Sequence, residues 1–329
     1  MELTYQSPSM ITGGILFLNP NIFPSTIAVV GTGSSKASFV RFPESENQNF
    51  ETIDDWDIKL NSACTSISTN GDSVVLATSL HGQVKTCYFF NDVPDQNEWT
   101  IENSSLITSS SVDKDLLLIG CEANEILKFQ IQFENKPIWK SKNKHYVEDL
   151  SFTHDRNTFI SVGKGVFLHD FRNQQISCFY PNDLNDYSCI DIHPYQEDVF
   201  ITGDFSGNVA YWDVRAIQKG PIYSKKVHND FTSDVSFSVK NDIFSVSIDG
   251  TTSCLTSEGQ IQPNFPKYQM NSLRSVSTSY DDQNSQMIVG FAQEDGLVTF
   301  TRHVHLKPPK FLLDNEVTQK DIGPFTLNS

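Results

Sequence analysis

Three short apolar segments, separated by turn residues, follow one another between residues 189 and 215. Cys189 to Ile192 alternates apolar and polar positions before a His-Pro pair, Val199 to Ile201 leads into Gly-Asp, and Val209 to Val214 follows Ser-Gly-Asn. Alternation bounded by such turn residues predicts strands, and this stretch is therefore predicted to be a β-meander. Three short strands bury too little apolar surface alone, so the meander is expected to need similar units beside it.

The same strand-turn-strand pattern recurs along the whole chain. With Trp212 as the reference position, the equivalent residues of seven units are Val40, Cys87, Phe129, His169, Trp212, Leu255 and Thr301. Their spacing is close to the period of about 40 to 45 residues that is typical of WD-type propeller blades. The pattern therefore predicts an all-β protein, a seven-bladed WD40-type β-propeller.

The ends of the chain decide whether the predicted ring closes. An open ring leaves two strand edges unpaired, and closure removes them. The seven units account for residues 27–304, so residues 3–18, with an apolar run at Ile15 to Leu18, are predicted to supply the outermost strand of blade seven. Residues 1–305 are accordingly predicted to form one propeller, and residues 306–329 a polar C-terminal tail.

Composition and charge narrow the possible functions. A net charge of -16 and a pI near 4.8 disfavour direct binding to the phosphate backbone of nucleic acids. The six cysteines show no metal-ligand spacing and are expected to be reduced thiols of an intracellular protein. No apolar run is long enough to span a membrane, so the protein is expected to be soluble, without membrane insertion.

Catalytic motifs are missing from the sequence. There is no GxSxG, HExxH or helix-opening GxGxxG pattern, and the turn at residues 31–36 lies between two predicted strands, where a phosphate loop would precede a helix. His193, His228 and His303 lie next to turns or strand ends and are interpreted as structural. The sequence thus predicts a non-catalytic binding protein without metal or cofactor.

Two tryptophans are candidate partner-binding residues. Trp56 and Trp99 lie in polar segments between predicted units, and tryptophan is enriched where interfaces concentrate their binding energy. Each could be an exposed anchor for a partner, or part of an outer strand folded back on its blade. Both interpretations stay open at this stage.

The residues that mark the repeat are predicted to be structural. His169 occupies the position of Trp212, and Leu255 occupies it in unit six. At most a fragment of the His, Asp and Trp hydrogen-bonding network of WD repeats is therefore expected in unit six. The signature residues are Asp170, Arg172, His193, Pro194, Gly207, Trp212, Asp213, Arg215, His228, Asp249, Arg302 and His303.

Several segments resemble one WD-repeat family more than others. The segments at 170–172, 189–194, 212–215 and 301–303, together with Glu98-Trp99-Thr100, are similar to the corresponding parts of nucleoporin forty-three. That resemblance implies a structural subunit of the nuclear pore Y-complex that docks on a helical-solenoid nucleoporin of the eighty-five type, beside other Y-complex members. It also implies residence at the nuclear envelope, support of nucleocytoplasmic transport and, in animals, recruitment to kinetochores.

Two other functions compete with this interpretation. The middle units also look similar to the WD-repeat adaptor of the type II arginine methyltransferase, at His193-Pro194 and Gly203-Asp204. A propeller enzyme or peptide reader would instead need convergent polar residues at the mouth of the central channel. Co-purifying partners distinguish the first two functions, and the geometry of the channel tests the third.

Overall fold

A computed structural model describes the chain from residue 2 to residue 304. The description leaves out residues 20–22, 24, 44–48, 71–72, 91–92, 102–105, 132–135, 144, 174–175, 182–185, 263–264, 266–269 and 282–285. The predicted tail at 306–329 therefore lies outside the described residues. None of the described helices is long and apolar enough to cross a membrane.

The described chain folds into seven antiparallel sheets, each of which is one blade. The first strand, β1 (Glu2–Gln6), belongs to the last blade. Blade one contains β2 (Ile11–Phe17), β3 (Ile27–Thr32), β4 (Lys36–Arg41) and β5 (Glu51–Thr52), with β6 (Ile58–Lys59) also paired to β4. Blade two contains β7 (Cys64–Thr69), β8 (Val74–Ser79), β9 (Gln83–Phe90) and β10 (Val93–Thr100). Blade three contains β11 (Ile107–Asp113), β12 (Leu116–Cys121), β13 (Glu125–Gln130) and β14 (Trp139–Lys142).

The second half of the ring follows the same plan. Blade four contains β15 (Val147–Phe152), β16 (Thr158–Gly163), β17 (Gly165–Asp170) and β18 (Ile176–Pro181), and blade five contains β19 (Tyr187–Ile192), β20 (Val199–Asp204), β21 (Asn208–Asp213) and β22 (Tyr223–Lys226). Blade six contains β23 (Thr232–Phe237), β24 (Ile243–Ser247) and β25 (Thr252–Leu255). Blade seven contains β26 (Leu273–Asp281), β27 (Gln286–Gln293), β28 (Leu297–Val304) and β1. Two short 3-10 helices cover Asp54–Trp56 and Val214–Lys219.

The seven reference positions occupy equivalent places in the seven blades. Each lies in the third strand and pairs with a buried residue of the second strand; the pairs are Val40 with Ala28, Cys87 with Val75, Phe129 with Leu117, His169 with Phe159, Trp212 with Phe200, Leu255 with Ile243, and Thr301 with Val289. All seven reference residues are buried. The seven-bladed architecture predicted from the spacing is confirmed.

The N-terminal segment closes the ring, but it is divided between two blades. β1 pairs antiparallel with β28, as the outermost strand of blade seven. β2 pairs with β3 and is the innermost strand of blade one. The prediction that residues 3–18 together form the outer strand was therefore wrong for the second half, because the apolar run at Ile15 to Leu18 is buried between blades rather than at the rim.

The core lies between neighbouring blades, where apolar faces of adjacent sheets meet. The cluster between blades four and five shows the pattern, with Trp212 stacked on Phe200 at a ring distance of 5.5 Å and contacted edge-on by Tyr180 and Tyr187. Because each interface joins two blades, neither blade buries its apolar surface without the other. The result is a closed ring whose two faces are built of turns and connections.

Candidate interaction surfaces

The innermost strands of the seven blades surround a central channel that carries many hydroxyl groups. A cavity of about 440 Å³ within the channel is lined mainly by serines and threonines, together with Glu148, Asp149, Asp234 and Arg274. The hydroxyl groups often bond across blades, as where Thr12 donates to the carbonyl of Cys64 at 2.6 Å. The channel is thus polar, and part of its polarity joins one blade to the next.

Three aspartates of the inner strands link four consecutive blades. Asp149 accepts a hydrogen bond from the amide of Ile190 at 3.0 Å, and Asp191 accepts one from the amide of Phe237 at 2.8 Å. Asp234 accepts from the hydroxyl of Ser275 at 2.7 Å. Burial raises the pKa of Asp149 to about 8, of Asp191 to about 7 and of Asp234 to about 6. The distances assign these carboxylates a structural role, as links between blades.

The hydrogen-bonding network of blade six is more complete than the sequence predicted. Asp249 accepts from the hydroxyl of Thr251 at 2.6 Å, and that oxygen lies 2.7 Å from Nδ1 of His228. Nε2 of His228 lies 2.8 Å from the hydroxyl of Ser245. Only the indole is missing, because Leu255 occupies its position.

Blades four and five carry the complementary part of this network. In blade five the indole of Trp212 donates to the hydroxyl of Thr202 at 2.9 Å. In blade four Nε2 of His169 lies 2.8 Å from the hydroxyl of Ser161, so the imidazole takes the place of the indole. Burial lowers the pKa of His169 to about 3. His169 is therefore a neutral, buried residue, in agreement with the structural interpretation.

Asp170-Arg172 and Asp213-Arg215 form the same local clamp on two blades. Asp170 accepts from the backbone amide of Arg172 at 2.9 Å and from its Nη2 at 2.6 Å. Asp213 accepts from the amide and Nη2 of Arg215, both at 2.9 Å. The Asp-x-Arg pattern that supported the family resemblance is thus a turn-stabilising device at the end of the third strand.

His193 holds together the face formed by the turns between first and second strands, which we call the lower face. Its Nδ1 accepts from the amides of Tyr195 and Gln196 at 3.1 and 2.9 Å, so Nε2 carries the proton and donates to Asn241 at 2.6 Å. The carbonyl of His193 lies 2.7 Å from Nε2 of His154. These bonds connect the turns of blades four, five and six beside a cleft of about 540 Å³.

The remaining signature residues have separate positions. Pro194 is exposed on the lower face. Gly207 has φ +83° and lies so close to the carbonyls of His228 and Asp230 that a Cβ would come within 2.5 Å of both oxygens. Arg302 is half-buried, with its guanidinium 5.9 Å from the ring centre of Phe42. The side chain of His303 lies outside the described residues.

Neither candidate tryptophan is an exposed anchor. Trp99 lies in β10, is 8% exposed and contacts Phe129 edge-on at 4.8 Å. Trp56 is half-buried in a 3-10 helix, with its ring 5.9 Å from Phe39 of blade one and 5.0 Å from Phe89 of blade two. The exposed-anchor interpretation is corrected for both, because each indole fills a gap between neighbouring blades. The outer-strand alternative is confirmed for Trp99.

An aromatic pair, with Phe205 exposed and Phe231 half-buried, lies on the opposite face, which we call the upper face. Phe205 follows β20 and is 43% exposed, and its ring lies 5.4 Å from that of Phe231, in the connection between blades five and six. The amide of Phe205 donates to the carbonyl of Asp186 at 3.0 Å, which fixes the turn. Sequence reasoning missed this pair, although a phenylalanine inside a predicted turn is an unusual and visible signal.

The described residues contain no group of three or more histidine, cysteine, aspartate or glutamate side chains that could hold a metal ion. Five cysteines are buried and Cys178 is half-buried, all as free thiols. Burial raises the pKa of Cys64 and Cys87 to about 12. Such thiols stay protonated at neutral pH and are poor metal ligands or nucleophiles.

Comparison with known proteins gives partial sequence matches. No family model matches the chain. It is 24% identical over 143 residues to the WD repeat-containing protein 55 homologs of Drosophila persimilis and Drosophila pseudoobscura pseudoobscura, over 42% of this chain and 28% of each relative. WD repeat-containing protein 55 of Rattus norvegicus is 24% identical over 140 residues, 40% of this chain and 32% of the relative. The match spans less than a third of the length of these relatives.

Solved structures match nearly the whole chain. A chain of the structure "Crystal Structure of Mitotic Checkpoint Complex" superposes with a TM-score of 0.74 at 14% identity, over 92% of this chain and 91% of that one. The WD40 β-propeller domain of Doa1 superposes with a TM-score of 0.73 at 13% identity, over 91% of this chain and 95% of that one. The chain therefore has the WD40 β-propeller fold, and its sequence is similar to WD-repeat proteins. Propellers of this fold act as platforms for protein interactions.

Proposed function

We propose that this chain is a non-catalytic adaptor, a structural subunit of the nuclear pore Y-complex that docks on a helical-solenoid nucleoporin of the eighty-five type. The observation that supports the adaptor role is that the buried aspartates and histidines of the ring form hydrogen bonds within the protein. Asp149, Asp191 and Asp234 hold neighbouring blades, and His193 and His228 hold turns. Because these side chains are hydrogen-bonded within the ring, they make it rigid. Partner binding is therefore proposed to occur through the two faces of the ring.

We propose the nuclear pore Y-complex in particular because of the resemblance to nucleoporin forty-three, which rests on segments whose structural roles are described above. The Asp-x-Arg clamps of blades four and five and the third strand of blade seven at Thr301 and Arg302 are among the segments that resemble nucleoporin forty-three. Residence at the nuclear envelope, and at kinetochores of dividing animal cells, belongs to the same proposal. An adaptor role beside an arginine methyltransferase is the alternative that partner analysis would reveal.

The pair of Phe205 and Phe231 supports docking through the upper face. Phe205 presents its ring to solvent from a turn that is fixed by a backbone hydrogen bond. Rigid aromatic side chains lose little conformational entropy on binding and often dominate the energy of an interface. Because a helical solenoid offers apolar grooves between its helices, an aromatic pair on a stiff turn suits such a partner.

Affinity measurement with purified components tests this proposal. The chain and a purified helical-solenoid nucleoporin of the eighty-five type should bind in a calorimetric titration, and Phe205→Ala should weaken binding by about 2 kcal/mol, roughly 30-fold in Kd. Ile222→Ala is the matched control, because Ile222 is 63% exposed and precedes β22 at the end of that strand away from the Phe205 turn. Absence of binding by the unmodified chain would contradict the proposed partner, and equal losses in both variants would contradict the proposed face.

A further inference from the structure

The outermost strand of blade four differs from the outermost strands of the five other blades in which the structure describes a fourth strand; blade six ends at β25 (TSCL), which is also uncharged but is buried. Charged side chains occur in the other five outer strands, which are β1 (ELTYQ), β5 (ET), β10 (VPDQNEWT), β14 (WKSK) and β22 (YSKK). β18 reads ISCFYP and has none. Charged residues, lysine above all, protect edge strands from pairing with other chains. β18 lacks that protection.

We propose that β18 is a docking edge, to which another protein adds an extended segment as a fifth strand of blade four. β18 pairs antiparallel with β17 on one side, from Ile176 to Pro181, with a register shift that leaves Ser177 without a paired residue in β17. On its other side no strand of the described chain pairs with it. A strand in that position offers a row of backbone N–H and C=O groups to an incoming segment.

The side chains of β18 are arranged to receive such a segment. Ile176 and Phe179 are 37% and 38% exposed, and Ser177 between them is also exposed. The ring of Phe179 stacks on Phe167 at 4.5 Å with an angle of 18° between the planes, which holds it in place. An apolar side chain on a rigid strand gives the incoming segment a fixed contact beside the backbone pairing.

The other face of the same strand is already covered, which leaves the edge as the open side. Tyr180 contacts Trp212 edge-on at 5.3 Å, and Cys178 packs with it against the interface of blades four and five. The 3-10 helix at Val214–Lys219 packs beside this face, and Ile217 of the helix is fully buried there. β18 is thereby anchored to its neighbours and would not need to move to accept a partner.

The net charge of the chain distinguishes between two possible partners for the β18 edge, a second copy of this chain and a different protein. A second copy of this chain would add a further net charge of -16 to the complex, and association of two strongly acidic proteins is disfavoured by their mutual repulsion. The segment we propose therefore belongs to a different protein, with apolar residues at alternate positions and a neutral or basic character. This mode of binding is independent of the partner that the upper face receives.

Hydrogen exchange of backbone amides tests the docking edge. The tagged chain would be purified from its own cells in mild salt together with whatever binds it, and compared with the chain alone. We expect the amides at 176–180 to exchange at least about tenfold more slowly in the complex, while those of the lysine-bearing strand β22 do not change. Recovery of partners without this protection, or of the chain without partners, would overturn the proposal.

A charge placed on the edge provides the second measurement. Ser177→Lys should abolish the protection and release the protein that supplies the strand, whereas Ser224→Lys, at an exposed position of β22, should not. Thermal unfolding of both variants checks that the ring is intact. If the Ser177→Lys chain retains every partner, the proposal fails. If the purified chain forms a dimer that Ser177→Lys disrupts, the occupant is a second copy of this chain and the proposed partner, a different protein, is wrong.

A failure here can be told apart from a failure of the proposed function. Helical nucleoporins bound to a chain with unprotected β18 would support the nuclear pore role and overturn the docking edge. Protected β18 in a complex without nucleoporins would do the reverse.

Discussion

Blades five and six solve the same structural problem with different side chains. In blade five the indole of Trp212 donates to Thr202, and Asp204 accepts from the amides of Ser206 and Asn208 in its own turn. In blade six Asp249, Thr251, His228 and Ser245 form a continuous network with no indole. Blade six thus lacks only the indole, and blade five keeps the indole and its hydroxyl partner, of an arrangement that a typical WD repeat combines in one blade.

The difference shows what the repeat requires of its residues. A buried hydroxyl in the second strand needs a hydrogen-bonding partner, because an unsatisfied buried polar group costs about 1–3 kcal/mol. An indole, as in blade five, or an imidazole, as in blades four and six, satisfies it equally well. Blades four, five and six thus differ in their signature residues and keep the same fold, and in each the hydroxyl of the second strand has a ring nitrogen as its partner.

The largest expected effect is a difference in stability between core substitutions in blade five and in blade six. Trp212→Ala should destabilise the ring by about 3–5 kcal/mol, because it removes a fully buried indole that stacks on Phe200 and pairs with Thr202. Leu255→Ala, at the equivalent position of blade six, should cost about 2–3 kcal/mol, since it removes fewer atoms and no hydrogen bond. Chemical denaturation measures both. A larger loss for Leu255→Ala would contradict the equivalence of the two positions.

A smaller expected effect is that the stability contributed by blade six, unlike that contributed by blade five, depends on pH through His228. Burial lowers the pKa of His228 to about 4, and the unfolded chain has a value near 6.5. Between these values the unfolded state binds the proton more tightly, so the contribution of His228 to stability is complete above pH 6.5 and is lost as the pH falls towards 4. The loss amounts to about 3 kcal/mol when complete.

Denaturation at several pH values, compared with His228→Gln, isolates this contribution. The difference between the wild type and the variant should decrease below pH 6.5. Thr202→Val is the control in blade five, because neither Trp212 nor Thr202 titrates, and its cost should not change with pH. The inter-blade aspartates Asp149 and Asp191 act with the opposite sign, since their raised pKa values make stability fall as the pH rises. A constant difference for His228→Gln would contradict a neutral, buried imidazole.

The smallest effect concerns the clamps that blades four and five share. The guanidinium groups of Arg172 and Arg215 are exposed, and exposed ion pairs contribute little to stability. Arg172→Ala and Arg215→Ala should each leave the denaturation midpoint within the scatter of replicate measurements. A clear loss in either variant would show that the Asp-x-Arg clamp supports the ring as well as its own turn.

The sequence predicted the architecture well because the blade period is a property of the chain itself. The reference residues Val40 and Thr301 lack any aromatic signature, yet both fall in the third strand at the predicted position. Turn residues mark the ends of the strands in every blade, whatever its core side chains are. The spacing of the blades is therefore visible in the sequence even where no tryptophan corresponds to Trp212. The division of the N-terminal segment was missed because Ser7-Pro8, which lies between β1 and β2, was not taken as a boundary between two strands.

The candidate site was harder to predict, because exposure depends on neighbours that are distant along the chain. Trp99 lies in a polar strand, but its indole is covered by Phe129 of the next blade. Conversely, Phe205 follows a buried strand and is exposed, since the turn carries it away from the core. Neither outcome follows from local composition. The edge of β18 could have been noticed by comparing outer strands, but only once their pairing was known.

Affinity purification of the tagged chain from its own cells in mild salt, followed by mass spectrometry, tests the proposed function most directly. The account predicts that helical-solenoid nucleoporins of the Y-complex are recovered and that Phe205→Ala reduces their yield. Recovery of an arginine methyltransferase in their place would contradict the nuclear pore role while leaving the seven-bladed platform intact.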